Sequence, residues 1–179
     1  MAISVALPLT SDESLARFAP PKETSWTLFM GLLRPHSRGQ VRLSGPNPAD
    51  LPLIEPNYLA HPADLAAVRA GVATCRALGQ AAPLRPFLKR ELMPGALQGP
   101  ELDSFLRESA ITYWHQTCTA KMGRDALSVV DGSLAVYGIE NLRIADGSIM
   151  PRITSGNTTA PCVVIGERAG DILKKRHGL

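Results

Sequence analysis

Aromatic residues make up only 5% of this 179-residue chain, with two Trp, three Tyr and four Phe. Any core must therefore be mostly aliphatic. Cysteine is also scarce: Cys75, Cys118 and Cys162 are the three in the sequence, widely spaced and without a CxxC pair. An odd, scattered set disfavours a disulfide framework or a zinc site and fits a reducing compartment, so a cytoplasmic location is expected. No apolar run approaches the roughly 20 residues needed to span a bilayer. The opening MAISVALPL lacks a basic n-region and reads as no signal peptide. Charge of neither sign dominates, since 19 Lys and Arg against 16 Asp and Glu leave a net charge of +3. The basic residues form no run with interleaved aromatics, so nucleic acid is not an expected partner. The small cluster Lys174, Lys175, Arg176 ends the last expected helix, where positive charge is favourable. Repeats, low-complexity segments and a G-x-G-x-x-G turn are all missing.

What remains is ordinary globular material, 45% apolar and rich in turns, with 15 Gly and 15 Pro. Residues 1–24 read as a polar, Pro-broken lead-in. Trp26 to Leu33 alternates as a strand, with Trp26, Leu28, Met30 and Leu32 on one face. Arg34-Pro35 breaks it, and Gly39 to Ser44 forms a second strand. The two are expected to share one antiparallel sheet. Pro62 suits the first turn of a helix, followed by Leu65, Val68, Val72, Cys75 and Leu78 at helical spacing over 62–80. Pro100 opens another helix, with Leu102, Phe105 and Leu106 as its apolar stripe. Beyond His115, short strands at Val129-Val130, Leu134 to Tyr137 and Leu142 to Ala145 are separated by Asp-Gly and Gly turns. A Gly- and Thr-rich loop leads to a last helix from about Pro161 to Lys175. Tightly spaced strands beside separate helices indicate α+β rather than repeated βαβ units.

Three segments carry chemistry. In YWHQTCTAKMG, Tyr113 to Gly123, His115 follows two aromatics. Histidine takes or gives a proton near neutrality and can remove an alcohol proton as a general base. A core-edge imidazole bonded to backbone is the commoner fate of a lone His. In LRIADGSIMP, Leu142 to Pro151, an apolar strand ends in Asp146-Gly147-Ser148. That brings a carboxylate and backbone N–H groups to a sheet edge, where cofactors dock, although Asp-Gly-Ser is also a common turn. In SGNTTAP, Ser155 to Pro161, Asn157, Thr158 or Thr159 can cap the last helix. The same helix start offers unpaired N–H groups and partial positive charge to an anionic ligand. His36 and His61, in loops beside Pro, and His177, in the tail, lack metal-ligand spacing, and no metal is expected.

Taken in order, these segments resemble the C-terminal part of glucose–methanol–choline (GMC) oxidoreductases. The resemblance runs through His115 to Met122-Gly123, Val129-Val130-Asp131, Leu142-Arg143 to Asp146-Gly147-Ser148 and Met150-Pro151, and Asn157-Thr158. RPHSRGQVRL and PLIEPNYLAHPADLAAVRAG look like the opening of that family's substrate domain. About residues 25–175 are covered.

The resemblance implies an antiparallel sheet with packed helices, the substrate-binding domain, over 25–128. It also implies a C-terminal strand and helix over 129–179 that return to the FAD-binding domain. It implies FAD as cofactor and oxidation of the CH–OH group of a small alcohol by hydride transfer to the flavin. His115 would be the base, and Asn157 the second residue facing substrate. Ala145, Asp146, Asn157, Thr158 and Thr159 would touch the cofactor. The sequence departs from the family at Cys118, where Gly is usual, and at Ala120, where Cys is commoner. The Gly-rich turn that cradles the FAD pyrophosphate is missing, so weak or no FAD binding is expected of this chain alone. Partners implied are an N-terminal FAD-domain chain or a second copy. The alternative is a catalytically silent remnant or interaction module.

Overall fold

The computed structural model describes residues 25–179 and the backbone of one strand at Ala2–Val5. The expected lead-in over 1–24 otherwise lies outside the described residues. The chain divides into two compact units. One comprises Met1–Gly39 and Leu53–Tyr113, the other Gln40–Pro52 and Trp114–Leu179.

The first unit joins an antiparallel strand pair to helices, in keeping with an α+β fold. Strand β1 (Ala2–Val5) pairs with β2 (Thr27–Met30) in the register Ala2 to Met30 through Val5 to Thr27. The expected sheet uniting 26–33 with 39–44 does not form, because β3 (Gln40–Arg42) lies in a separate sheet. The reason lies between the two runs. The N–H groups of His36 and Ser37 donate to the carboxylate of Asp64, at 2.8 and 2.7 Å, instead of continuing a hairpin. Strand β4 (Leu53–Glu55) is exposed throughout.

Helix α1 (Pro62–Gly79) starts at Pro62, as its missing N–H allows. His61 caps it, Nδ1 accepting from the N–H of Ala63 at 3.2 Å. Leu65, Val68 and Val72 turn toward helix α2 (Gly99–Ser109), whose Leu102, Phe105 and Leu106 are buried as the sequence pattern predicts. Leu78 departs from the expected stripe and is 41% exposed. Arg69 of α1 clasps Asp103 of α2 with two guanidinium nitrogens. α1 also approaches β2 closely: a Cβ on Gly71 would lie 3.0 Å from Cγ of Met30 and nearer still to its Cε.

Asp64, in the first turn of α1, is 1% exposed. Besides the two N–H groups, the Ser37 hydroxyl donates to it at 2.5 Å. Burial pushes its pKa up, but the hydrogen bonds from His36 and Ser37 outweigh this and hold the carboxyl below its usual range.

The second unit has its own core of Val130, Leu134, Ile149 and Ala169, with Met122, Val136, Ile144, Ile165 and Ile172 packed around it. The three expected strands shrink to single bridges, Met122 with Val130, Val130 with Val136 and Ala135 with Arg143. Turns come too soon for longer ladders: Asp131 folds its carboxylate onto the N–H groups of Ser133 and Ala135 at 2.8 and 3.0 Å. The last helix, α3 (Thr159–His177), is longer than expected at both ends and stops at Gly178, whose φ is 70°. Of its apolar residues, Val164 and Leu173 are exposed at 66% and 42%, as a half-covered helix should be. Ile165 and Ile172, partly buried, pack on the core.

Candidate functional site

The three chemistry-bearing segments meet within the second unit, two of them stitched by main-chain hydrogen bonds and the third tied in through a side chain. Cys118 N–H donates to the carbonyl of Gly147 at 3.3 Å, Ala120 N–H to that of Ser148 at 3.0 Å, and Met122 N–H to that of Ile149 at 2.7 Å. The His115 segment thereby lies along the turn that follows Asp146. That turn is a short 3-10 helix, Gly147–Ile149, and Asp146 caps it by accepting from Ser148 N–H at 2.7 Å. The Ser148 hydroxyl and N–H hold the Asp146 carboxyl below its usual range. Gly147 leaves little room for a side chain. A Cβ there would sit 3.0 Å from Sγ of Cys162, in the first turn of α3, and 3.3 Å from a methyl carbon of Thr117. The small residue is what lets the helix and both segments close together.

His115 is half-buried, and its Nε2 is shielded from solvent. Its Nδ1 lies 3.3 Å from Oγ1 of Thr158. Thr158 is the residue preceding α3 and is 8% exposed. The sequence reading gave it a capping or cofactor-binding role, but its side chain makes no cap hydrogen bond. At φ −90°, ψ −6° its backbone is already helical, whereas a capping Thr adopts extended backbone. The tie between His115 and Thr158, 43 positions apart, has no local signal in the sequence. Asn157 and Thr159 flank Thr158 and are exposed, as are Ala145 and Asp146. The segments carrying all six candidate residues are thus adjacent, although only His115 and Thr158 are joined side chain to side chain in a described hydrogen bond.

Cys118, where the sequence departs from the usual Gly, has φ 74°. That left-handed conformation is the one Gly adopts without cost. Its Sγ lies 3.2 Å from the Thr117 hydroxyl. Among the described residues no group of His, Cys, Asp or Glu is arranged to hold a metal ion, and no helix is long and apolar enough to cross a membrane. The deeply buried Asp64 was not singled out in the sequence; an acidic residue in a first helical turn is too ordinary a signal.

Comparison with known proteins bears on what this arrangement is. The chain is 41% identical over 160 residues to an oxygen-dependent choline dehydrogenase of Pseudomonas fluorescens, covering 88% of this chain and 28% of that protein. It is 40% identical over 153 residues to an alcohol dehydrogenase [acceptor] of Pseudomonas putida, covering 84% of this chain and 28% of that one. The crystal structure of pyridoxine 4-oxidase from Mesorbium loti superposes with a TM-score of 0.80 at 35% identity, over 88% of this chain and 31% of that one. The chain therefore spans less than a third of the length of these relatives. The family model for GMC oxidoreductases, in its C-terminal part, matches residues 35–166, and to that family this chain belongs.

Proposed function

We propose that this chain is the substrate-side part of an FAD-dependent oxidoreductase that oxidises the CH–OH group of a small alcohol, with His115 as general base. GMC homologues are FAD flavoproteins, and the family supports an oxidoreductase. The observation that carries the finer reading is the meeting of the His115 segment, the Asp146 turn and the α3 start in one unit. A base must sit beside the place where substrate and cofactor meet.

The residues present fit the ring end of a flavin. The start of α3 has no side-chain cap, so its first N–H groups and partial positive charge are available to an anionic ring edge. Exposed Asn157 and Thr159, with Thr158 between them, and the backbone at Ala145 and Asp146 would hold it there. Bound flavin supplies the hydride acceptor. His115 takes the hydroxyl proton, since an imidazole can accept one on a ring nitrogen. Asn157 donates or accepts a hydrogen bond to the same hydroxyl, since an amide takes no proton near neutrality. Nε2 is shielded in this structure, so a substrate hydroxyl meets it only once the site adjusts on binding. Residues 25–128 serve the substrate and 129–179 face the FAD-bearing part. The exposed Val163, Val164 and Leu173 of α3 give that part, or a second copy, an apolar surface to cover.

The test is a chimera in which this chain replaces the matching segment of the Pseudomonas fluorescens choline dehydrogenase. Alcohol-dependent dye reduction is expected, falling about 10²–10⁴-fold in His115→Ala. A folded, flavin-loaded chimera that no alcohol reduces points instead to a silent module, and an unchanged rate in His115→Ala removes the base.

A further inference from the structure

We propose that His61 caps helix α1 only as a neutral imidazole with its proton on Nε2, so that acid, by protonating that ring, loosens the start of the helix. This concerns the first unit and stands whether or not His115 is the base. The donor in the cap is the main-chain N–H of Ala63, which can only donate, and it reaches Nδ1 at 3.2 Å. Nδ1 must therefore offer a lone pair, and in the neutral ring the proton sits on Nε2. Pro62 has no N–H, so that of Ala63 is the first the helix must satisfy. The Asp64 N–H goes to the His61 carbonyl at 3.0 Å, which leaves Ala63 to the ring. Ser, Thr, Asn and Asp, the usual capping residues, keep an acceptor throughout the range near neutrality. A histidine loses this one on taking a proton at Nδ1. The charge gained also lies at the positive end of the helix dipole.

The surroundings of the ring point the same way. The His36 ring stacks on it, with centroids 4.9 Å apart and planes at 25°. Two imidazolium ions repel at that distance, so acid acts against the stack as well as the cap. Asp64 is the carboxylate in this first turn. Its oxygens are engaged by the N–H groups of His36 and Ser37 and by the Ser37 hydroxyl, and its charge bears on His36. The main-chain N–H of His61 donates to that same hydroxyl at 2.9 Å, which fixes the backbone and leaves the ring to the cap. The nearby cations are turned to carbonyls, Arg38 to those of Pro35 and Ser37, and Arg107 of α2 to that of Leu59. Among the described residues no ion pair joins the His61 ring to a carboxylate, so none offsets the lost cap.

The experiment uses the full chain, without flavin or turnover. Histidine ring nitrogens are labelled with 15N, and the His61 signals are assigned by their loss in His61→Asn. At neutral pH a pyridine-type Nδ1 and a pyrrole-type Nε2 are expected. Hydrogen exchange of the Ala63 amide, corrected for the intrinsic pH dependence of exchange, is then followed as pH is lowered until the ring is protonated. Its protection should fall about fivefold as His61 titrates, the effect of losing one helix cap, while that of mid-helix Val72 changes little. In His61→Asn, whose amide oxygen accepts at every pH in the range, protection of Ala63 should stay within about twofold. An Nδ1–H tautomer at neutral pH overturns the proposal. So does protection at Ala63 that holds while the ring titrates, or that falls equally in His61→Asn. Should His61→Asn fail to fold, Gln variants of the other three histidines, His36, His115 and His177, leave the His61 signals by elimination. The tautomer, and the fall at Ala63 against Val72 in the parent, then decide.

Discussion

Replacing Asp64 by Asn tests how the first unit is held together. The carboxylate accepts from His36 N–H, Ser37 N–H and the Ser37 hydroxyl while 1% exposed. An Asn side chain has the same shape but only one acceptor oxygen. Its NH₂ group must then face one of the two N–H donors, stranding that donor. A charge-assisted hydrogen bond contributes roughly 1.5–3 kcal/mol, and a buried donor left unmade costs a further 1–3 kcal/mol or so. A net destabilisation of about 3 kcal/mol at neutral pH is therefore expected, a large part of the roughly 5–15 kcal/mol of a typical domain. Urea unfolding followed by circular dichroism measures it. The pH dependence has a definite sign. The folded-state pKa of Asp64 is lowered, so its contribution is fully present above the unfolded value of about 3.9 and is lost as pH falls through the folded value. The gap between parent and variant should narrow below about pH 4. A variant within about 0.5 kcal/mol of the parent at pH 7, or a gap that widens in acid, refutes the reasoning.

Cys118→Gly should stabilise the chain by about 0.5–1 kcal/mol, since relief of the left-handed backbone outweighs the added freedom of Gly; a lowered melting temperature would count against it. Gly71→Ala should cost about 1 kcal/mol, because crowding against Met30 exceeds the gain in helix propensity. In a double-mutant cycle with Met30→Ala the two changes should couple by at least about 0.5 kcal/mol, and strict additivity would mean that the close approach is unimportant. The purified chain should emerge from gel filtration without stoichiometric flavin, since its sequence holds no G-x-G-x-x-G turn to cradle the FAD pyrophosphate; a yellow protein contradicts this.

The helices were legible because each announced itself twice. Pro62 and Pro100 mark starts, and Leu65, Val68, Val72 or Leu102, Phe105, Leu106 mark faces, so local chemistry and burial agree. The strands were less so. Gln40–Arg42 alternates like a half-buried strand yet is wholly exposed and leaves β2 to pair with β1. Alternation says that a run is extended, not which run it pairs with. The candidate site was legible as an ordered set of motifs from Tyr113 to Pro161. The tie between His115 and Thr158 was not, because Thr158 looks like a helix cap and its departure from that role depends on a backbone conformation no sequence pattern encodes.

The stitching of Cys118, Ala120 and Met122 to the carbonyls of Gly147, Ser148 and Ile149 runs from main chain to main chain. Side chains at 118, 120 and 122 take no part in those bonds, so substitution can retune the surroundings of His115 while its support stays put. Proline alone strikes at the stitch, by removing the donor. A proline scan should accordingly read out an every-other-residue intolerance at 118, 120 and 122, whereas Cys118→Ala, which keeps its amide, should be tolerated. The placement of the imidazole is in this sense written in amide groups, which every residue but proline carries, and drift in the neighbouring side chains leaves it standing.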